Sequence, residues 1–462
     1  DSVPLIMFVG QIERGMRERE AFQEVDYRAA FGPLAKWATE IDDAARIPEI
    51  VARAFHVAMS GRPGPVVIAL PEDMLVDEVR VADARRVEPL ETHPGAADMV
   101  ALQARLAAAK APVAIVGGTR WTAQAIADFT AFAERYKLPV ATSFRRQTLF
   151  PPEHPCFAGD LGLGPNPKLI ARIKAADLVL AVNARLSEAP SQGYTLFDIP
   201  GDGARLVHVH PDSGELGRVY ASALPIHASP GPFAAALAAL PAPARTPWQS
   251  DTAASHEAYL GWTENPAPAP GALQMATVMQ WLRRRLPDDA IIANGAGNYA
   301  TWLHRYYRFR RHGTQLAPTS GSMGYGLPAA VGAKRTCPER IVVSLNGDGC
   351  FMMNGQEFAT AVQYDLPIIV LIIDNGMYGT IRMHQEREYP GRVSATQLRN
   401  PDFASYARAF GGHGETVRTT EEFAPAFERA LASGKPSILH CFLDPEAINT
   451  STTLSKIRDR VM

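Results

Sequence analysis

Apolar residues gather along this chain in short unbroken runs, and between the runs they return every three or four positions. Unbroken runs of strand length belong to strands buried on both faces, and the intervening period is that of amphipathic helices. The alternation therefore predicts an α/β protein whose parallel sheets are covered by helices. Strands are expected at 5–9 and 66–70, then at 113–116, 140–142, 178–182 and 206–209, and finally at 290–293, 341–345, 368–373 and 437–442. A polar stretch at 88–95 separates the first group from the second. Between 241 and 271, Pro241, Pro243, Pro247, Pro266, Pro268 and Pro270 read as a stiff tether around one short helical stretch. The expected fold is three doubly wound parallel-sheet domains, at 1–85, 95–240 and 272–462, with 241–271 as linker. A chain of 462 residues suits that number at roughly 150 residues per domain.

Charge and cysteine usage narrow the partners. A formal net charge of −2 offers no field that would gather nucleic acid or an anionic membrane, so small molecules are the expected ligands. Cys156, Cys337, Cys350 and Cys441 are scattered and form no C-x-x-C pair, which argues against a disulfide framework or zinc site and for a reducing cytoplasm. The apolar run 368–373 is far too short to cross a bilayer, and the N-terminus lacks a basic-then-apolar signal pattern. The chain opens Asp1-Ser2-Val3-Pro4 straight into an apolar strand without a starting Met, and is expected to be cut from a longer one.

The most informative stretch runs from Ile341 to Gly379. A buried strand leads into Gly347-Asp348-Gly349, and Asn354-Gly355-Gln356-Glu357 has the cap-and-box pattern that starts a helix. Pro367 restarts the chain as an apolar strand, and Asp374-Asn375-Gly376 turns off its end. In such a β–α–β unit the strands are parallel, so Asp348 and Asn375 both lie at carboxyl ends, where open α/β sheets bind ligands. Hard oxygen donors suit Mg²⁺, which shares its octahedral shell with phosphates, and the glycines and nearby helix N-terminus favour those phosphates. Gly-Asp-Gly alone is a common loop and Asn-Gly alone signals a hairpin, but residues 380–387 are polar and helix-like rather than a return strand.

Taken jointly, these motifs resemble the cofactor-binding signature of thiamine diphosphate-dependent enzymes, and nearly the whole chain resembles acetolactate synthase large subunits, N-terminally incomplete. The resemblance implies Mg²⁺ held by Asp348, Asn375 and the backbone carbonyl of Met377. It implies a diphosphate met by Gly347, Gly349, Cys350 and Gly379, and by Gly297, Asn298 and Tyr299 of Asn294-Gly295-Ala296-Gly297-Asn298-Tyr299. In the segment 319–330 it gives the Gly321 carbonyl and the Met323 N–H to the aminopyrimidine, and the Met323 side chain props the cofactor in a bent shape. The segments 21–26 and 60–67 are similar to the second half of the family's pyrimidine-binding domain, which brings Phe22 and Gln23 to the active site. On the helix after the Asn-Gly turn, Thr380 and His384 share a face and are expected to line the substrate pocket, with His384 reading equally well as a solvated helix residue beside Arg382 and Gln385. The implied reaction is ylide attack on a 2-oxo acid, loss of CO₂ and transfer of the enamine to a second carbonyl. The alternatives are a 2-oxo acid or acyl-CoA decarboxylase and a cofactor-binding inactive subunit. A homodimer or homotetramer with active sites at subunit interfaces is implied as well.

The chain also departs from the family pattern. Asp374 stands where the first residue of an Asn pair is usual. The family's glutamate that protonates the pyrimidine belongs to the first half of the pyrimidine domain and has no counterpart here. In the central domain His208 and His210 occupy positions where flavin-binding members carry acids, and the segment 184–189 lacks the usual acidic pair after Arg185, so FAD is not expected. The two histidines read as one face of a strand. Residues 116–119 carry no G-x-G-x-x-G, so a dinucleotide site is not expected either.

Overall fold

The described residues form fifteen strands, ten of them at the expected apolar runs, and all of their ladders are parallel. The computed structural model describes residues 1–459. The first three strands are β1 (Leu5–Gln11), β2 (Trp37–Glu40) and β3 (Pro65–Pro71). The next six are β4 (Pro112–Val116), β5 (Val140–Ser143), β6 (Phe157–Leu161), β7 (Leu178–Val182), β8 (Leu206–His210) and β9 (Leu224–His227). The last six are β10 (Ile291–Asn294), β11 (Gln315–Leu316), β12 (Val342–Gly347), β13 (Ile368–Asp374), β14 (His413–Val417) and β15 (Ser437–Phe442). They form three sheets, ordered β1-β3-β2, β6-β5-β4-β7-β8-β9 and β11-β10-β12-β13-β15-β14.

Each six-stranded sheet is packed on both faces. Along β4, Ala114 and Val116 enter one core while Val113 and Ile115 enter another; along β13, Ile369 and Leu371 part from Ile368 and Val370 in the same way. Alternate residues therefore point to opposite apolar layers, the reason these strands read as unbroken runs. The three-stranded first sheet has one such core, centred on Val66 and Ile68, and its β1 leaves Leu5 and Phe8 about half exposed.

Both large sheets carry a reversal of strand order near their middle, between β4 and β7 and between β10 and β12, and β14 lies outside β15 at the edge of the last sheet. Such reversals leave a crevice at the carboxyl ends of the strands. The register aligns Gly347 with Ile373 and Asp374 with Phe442, so the chain leaves β12, β13 and β15 at one level.

Two segments differ from their sequence reading. The stretch read as a tether with a short helix holds a helix of 16 residues, Gln249–Glu264, seated on the central unit by buried Trp248 and Tyr259. Its end is tied to the last unit, where Glu264 meets Arg283 at 2.7 Å and pairs with Arg308, and Arg305 donates to the Trp262 carbonyl at 3.0 Å. The prolines mark only the flanks of this element. The expected cap at Asn354 is also absent: a short helix, Asp348–Phe351, begins at the glycine loop itself, and the next runs Glu357–Gln363 behind Gln356 without a side-chain cap. Asn354 instead donates to the Gly324 carbonyl at 3.0 Å, bracing a neighbouring loop.

Candidate active site

The carboxyl ends of β10, β12 and β13 open on a cavity of about 820 Å³. Gly297, Asn298, Tyr299, Gly321, Met323, Gly347, Asp348, Gly349, Cys350, Asn375, Met377 and Gly379 all line it, drawn from loops far apart in sequence. Three loops are interlocked by one thiol: Cys350 Sγ accepts from the Tyr299 hydroxyl and from the Gly324 N–H, both at 3.2 Å. Burial pushes the Tyr299 phenol well above its ordinary range, so it stays a donor. Asn298 is locked to the following helix by a reciprocal pair, its N–H donating to Thr380 Oγ1 at 3.0 Å while that hydroxyl donates back to Asn298 Oδ1 at 3.1 Å. A side chain at Gly349 has no room, because its Cβ would stand 2.5 Å from the Tyr378 ring.

Three expected residues lie outside the cavity of this single chain. Phe22 is 89% exposed and Gln23 is exposed beside it with φ +68°, both on the first unit. His384 is exposed as well. On the helix Gly379–Glu388 only the first turn, with Thr380 and Ile381, reaches the cavity. One turn on, the helix has left the cavity, and its inward residues Arg382 and Glu386 pack toward the C-terminal helix Leu454–Asp459, where Arg458 pairs with Glu386.

Of the metal-type donors, Asp348 sits in a tight polar cluster, while Asn375 and Met377 line the cavity beside it. Asp348 Oδ1 accepts from the Gly349 N–H at 2.9 Å, and Asp348 Oδ2 from Asn400 Nδ2 at 2.8 Å. Asp374 Oδ1 accepts from the same Asn400 nitrogen at 2.8 Å and from the Gly376 N–H at 2.9 Å, and its Oδ2 faces His440 Nε2 at 2.8 Å. Burial, with the neighbouring Asp374 charge added, pushes Asp348 up to about 7. Burial opposes ionisation of Asp374 too, but the bonds from His440 and Gly376 outweigh it and hold this carboxyl below its usual range. Met377 pairs with Gln397 across an antiparallel bridge whose bonds are Tyr378 N–H to Thr396 and Leu398 N–H to Gly376, so the Met377 carbonyl takes part in neither. A carboxylate, an amide and a backbone carbonyl at one crevice, beside the start of a helix, fit a hard dication shared with a diphosphate.

The opposite wall comes from the central unit. Arg145, 2% exposed and held at φ +58°, donates to the carbonyls of Pro318 and, at 3.3 Å, Gly295, so it anchors two of the cofactor-type loops. Burial lowers it to about 10, which leaves it charged at neutral pH. Arg185 shares Glu215 with Arg62 and Arg218, at 3.1, 3.3 and 3.6 Å. Of these three, Arg185 lines the cavity, with Arg145 and Glu188 on the same wall. Neither the Asn400–His440 cluster nor Arg145 was found by sequence reasoning; only the tandem Arg145-Arg146 after a strand end hinted at the latter.

Fold and site together define a class: an α/β protein whose cavity at the carboxyl edge of a parallel sheet fits a diphosphate with a hard dication. Comparison with known proteins gives the family. The model of the thiamine pyrophosphate enzyme C-terminal, TPP-binding domain matches residues 295–441, and that of the thiamine pyrophosphate enzyme central domain matches 100–237. The acetolactate synthase isozyme 2 large subunit of Escherichia coli is 30% identical over 96% of this chain and 80% of its own length. The acetolactate synthase large subunit of Parasynechococcus marenigrum is 32% identical over 95% and 72%. Among solved structures, a thiamine diphosphate-dependent 4-hydroxybenzoylformate decarboxylase of Rhodococcus jostii superposes with a TM-score of 0.80 at 28% identity, covering 96% of this chain and 83% of that one. The chain belongs to the acetolactate synthase family of thiamine diphosphate-dependent enzymes.

Proposed function

We propose that this enzyme is a 2-oxo acid carboligase that uses thiamine diphosphate with Mg²⁺ and without FAD. Asp348, Asn375 and the Met377 carbonyl hold the metal in this reading. Gly347, Gly349, Cys350, Gly379, Gly297, Asn298 and Tyr299 surround the diphosphate, and Gly321 and Met323 the pyrimidine. The bound cofactor supplies a carbon nucleophile that adds to a 2-oxo acid carbonyl and lets CO₂ leave. The chain's own contribution is to hold the cofactor rigidly and to present the Arg185 guanidinium to the substrate carboxylate. The observation that carries the reading is the extent of the cavity, which runs from the cofactor-type loops to Arg185, Gln192 and Tyr194 of the central unit and so leaves room for an acceptor acid beside the donor. The likeness to a decarboxylase favours a second reading, in which the donor is simply protonated after CO₂ loss. We further propose a cytoplasmic homodimer or homotetramer in which Phe22 and Gln23 serve a partner's cavity, with units at 1–85, 95–240 and 272–462.

Calorimetric titration of thiamine diphosphate with and without Mg²⁺, beside Asp348→Ala, tests the site. Binding should require Mg²⁺ and be lost in the variant. Pyruvate turnover then separates the chemistries: CO₂ release with a carbon–carbon-linked product supports carboligation, release with aldehyde alone supports decarboxylation, and no release by the cofactor-loaded protein overturns both.

A further inference from the structure

We infer that Asn400 is a positioning residue for the metal site, and that it is needed because position 374 carries an acid. The inference rests on the reading of Asp348 as a metal ligand. Asp348 and Asp374 leave adjacent strands β12 and β13 at the same level, and each has a carboxylate oxygen 2.8 Å from one and the same Asn400 nitrogen. Two carboxylates so placed repel and turn away from a common centre unless donors are set between them. One amide nitrogen does this: Asn400 Nδ2 stands 2.8 Å from Asp348 Oδ2 and 2.8 Å from Asp374 Oδ1, one hydrogen for each.

The placement of Asn400 is built into the fold. After the helix Gly379–Glu388 the chain doubles back, and the bonds from Leu398 N–H to the Gly376 carbonyl and from Tyr378 N–H to the Thr396 carbonyl, 2.8 and 2.9 Å, lay 396–398 along the turn that follows Asp374. Leu398 reaches the face of Gly349, within 3.2 Å of where a Cβ would stand, which pins the returning strand beside the Gly-Asp-Gly loop. Asn400 emerges two residues later, directly over the acid pair. The far oxygen of Asp374 is taken by His440 Nε2 from β15, so this acid is gripped at both ends and cannot swing aside to relieve the repulsion. Asp348 is held at one oxygen by the Gly349 N–H, and the oxygen that faces Asp374 is left to Asn400.

The roles separate in a double-mutant cycle read as Mg²⁺ affinity, by calorimetry in the presence of thiamine diphosphate and by Mn²⁺ paramagnetic resonance without substrate. Loss of a group that orients a metal ligand typically weakens metal binding 10- to 100-fold. Asn400→Ala should do so in the wild-type background and should cost less than about threefold when Asp374→Asn has removed the second carboxylate, because the need for the clamp is then gone. Asn400→Ser, which retains a small polar group and fills less of the loop, serves where Asn400→Ala does not fold, with far-ultraviolet circular dichroism as the control. Equal losses in both backgrounds, or no loss in the wild-type background, overturn the inference. Asp348→Ala keeps its failure distinct from that of the site: unchanged Mg²⁺ binding in that variant sinks the reading of Asp348 itself, whatever Asn400 does.

Discussion

Single side chains in this protein hold charge in unequal ways. Glu386 is fully buried and receives both Arg382, itself buried, and Arg458, so removing its charge strands a guanidinium in the interior. Glu386→Gln is expected to lower stability by about 3 kcal/mol or more, read from denaturant midpoints, and to free the C-terminal helix to proteases. His210 illustrates the opposite sign. It is buried on β8, and its Nδ1 lies 3.0 Å from the Asp212 N–H and 3.2 Å from the Asp212 carbonyl, so a bare nitrogen accepts the first and a protonated one donates to the second. Burial lowers its pKa to about 4, and the neighbouring His208 is lowered for the same reason. A histidine depressed in the folded state contributes its full stability above the unfolded value near 6.5 and loses it as pH falls through that value toward 4. His210 alone should cost about 2 kcal/mol at pH 5 relative to pH 7. His210→Asn should flatten the acid side of the stability curve; an unchanged slope would refute this assignment.

Elements behave according to how much of their pattern is local. The central strands β4, β7, β12, β13 and β15 were legible because burial on both faces forces aliphatic runs, and the glycine loops at their ends were legible because the backbone there has chemical work. Five strands went unread for identifiable reasons. β2 and β14 are short and partly polar, β11 has two residues, β6 contains Gly159, and β9 is an edge strand with Pro225 in it. The cofactor-type residues stood out as motifs, whereas Asn400 and His440 belong to no motif and reach the site only through the returning loop and β15. The helix Gln249–Glu264 was underestimated because prolines flank it and its hold is tertiary: Trp248 is buried and donates from Nε1 to the Tyr136 carbonyl at 3.0 Å. Trp248→Ala should cost about 3 to 5 kcal/mol and expose 249–264 to limited proteolysis ahead of the flanking units.

At the scale of the whole molecule, the cavity draws walls from two units while Phe22 and Gln23 stand exposed on a third. If those residues serve a partner, co-expressed Phe22→Ala and Asp348→Ala chains, each inactive alone, should recover about a quarter of wild-type sites, since half of randomly paired dimers carry one intact site of two. Recovery near zero would place Phe22 outside any shared site. The strand order of the last sheet carries a further consequence, in time rather than space. β14 pairs only with β15, which slots between it and β13. A ribosome releases β14 before the β15 it pairs with exists, so the open edge of β13 must wait, unpaired, until β15 arrives. The same late strand brings His440 to Asp374. The acid cluster is thus completed only once β15 has left the ribosome, and a message truncated before β15 would yield a protein with its glycine loops present and its sheet unclosed.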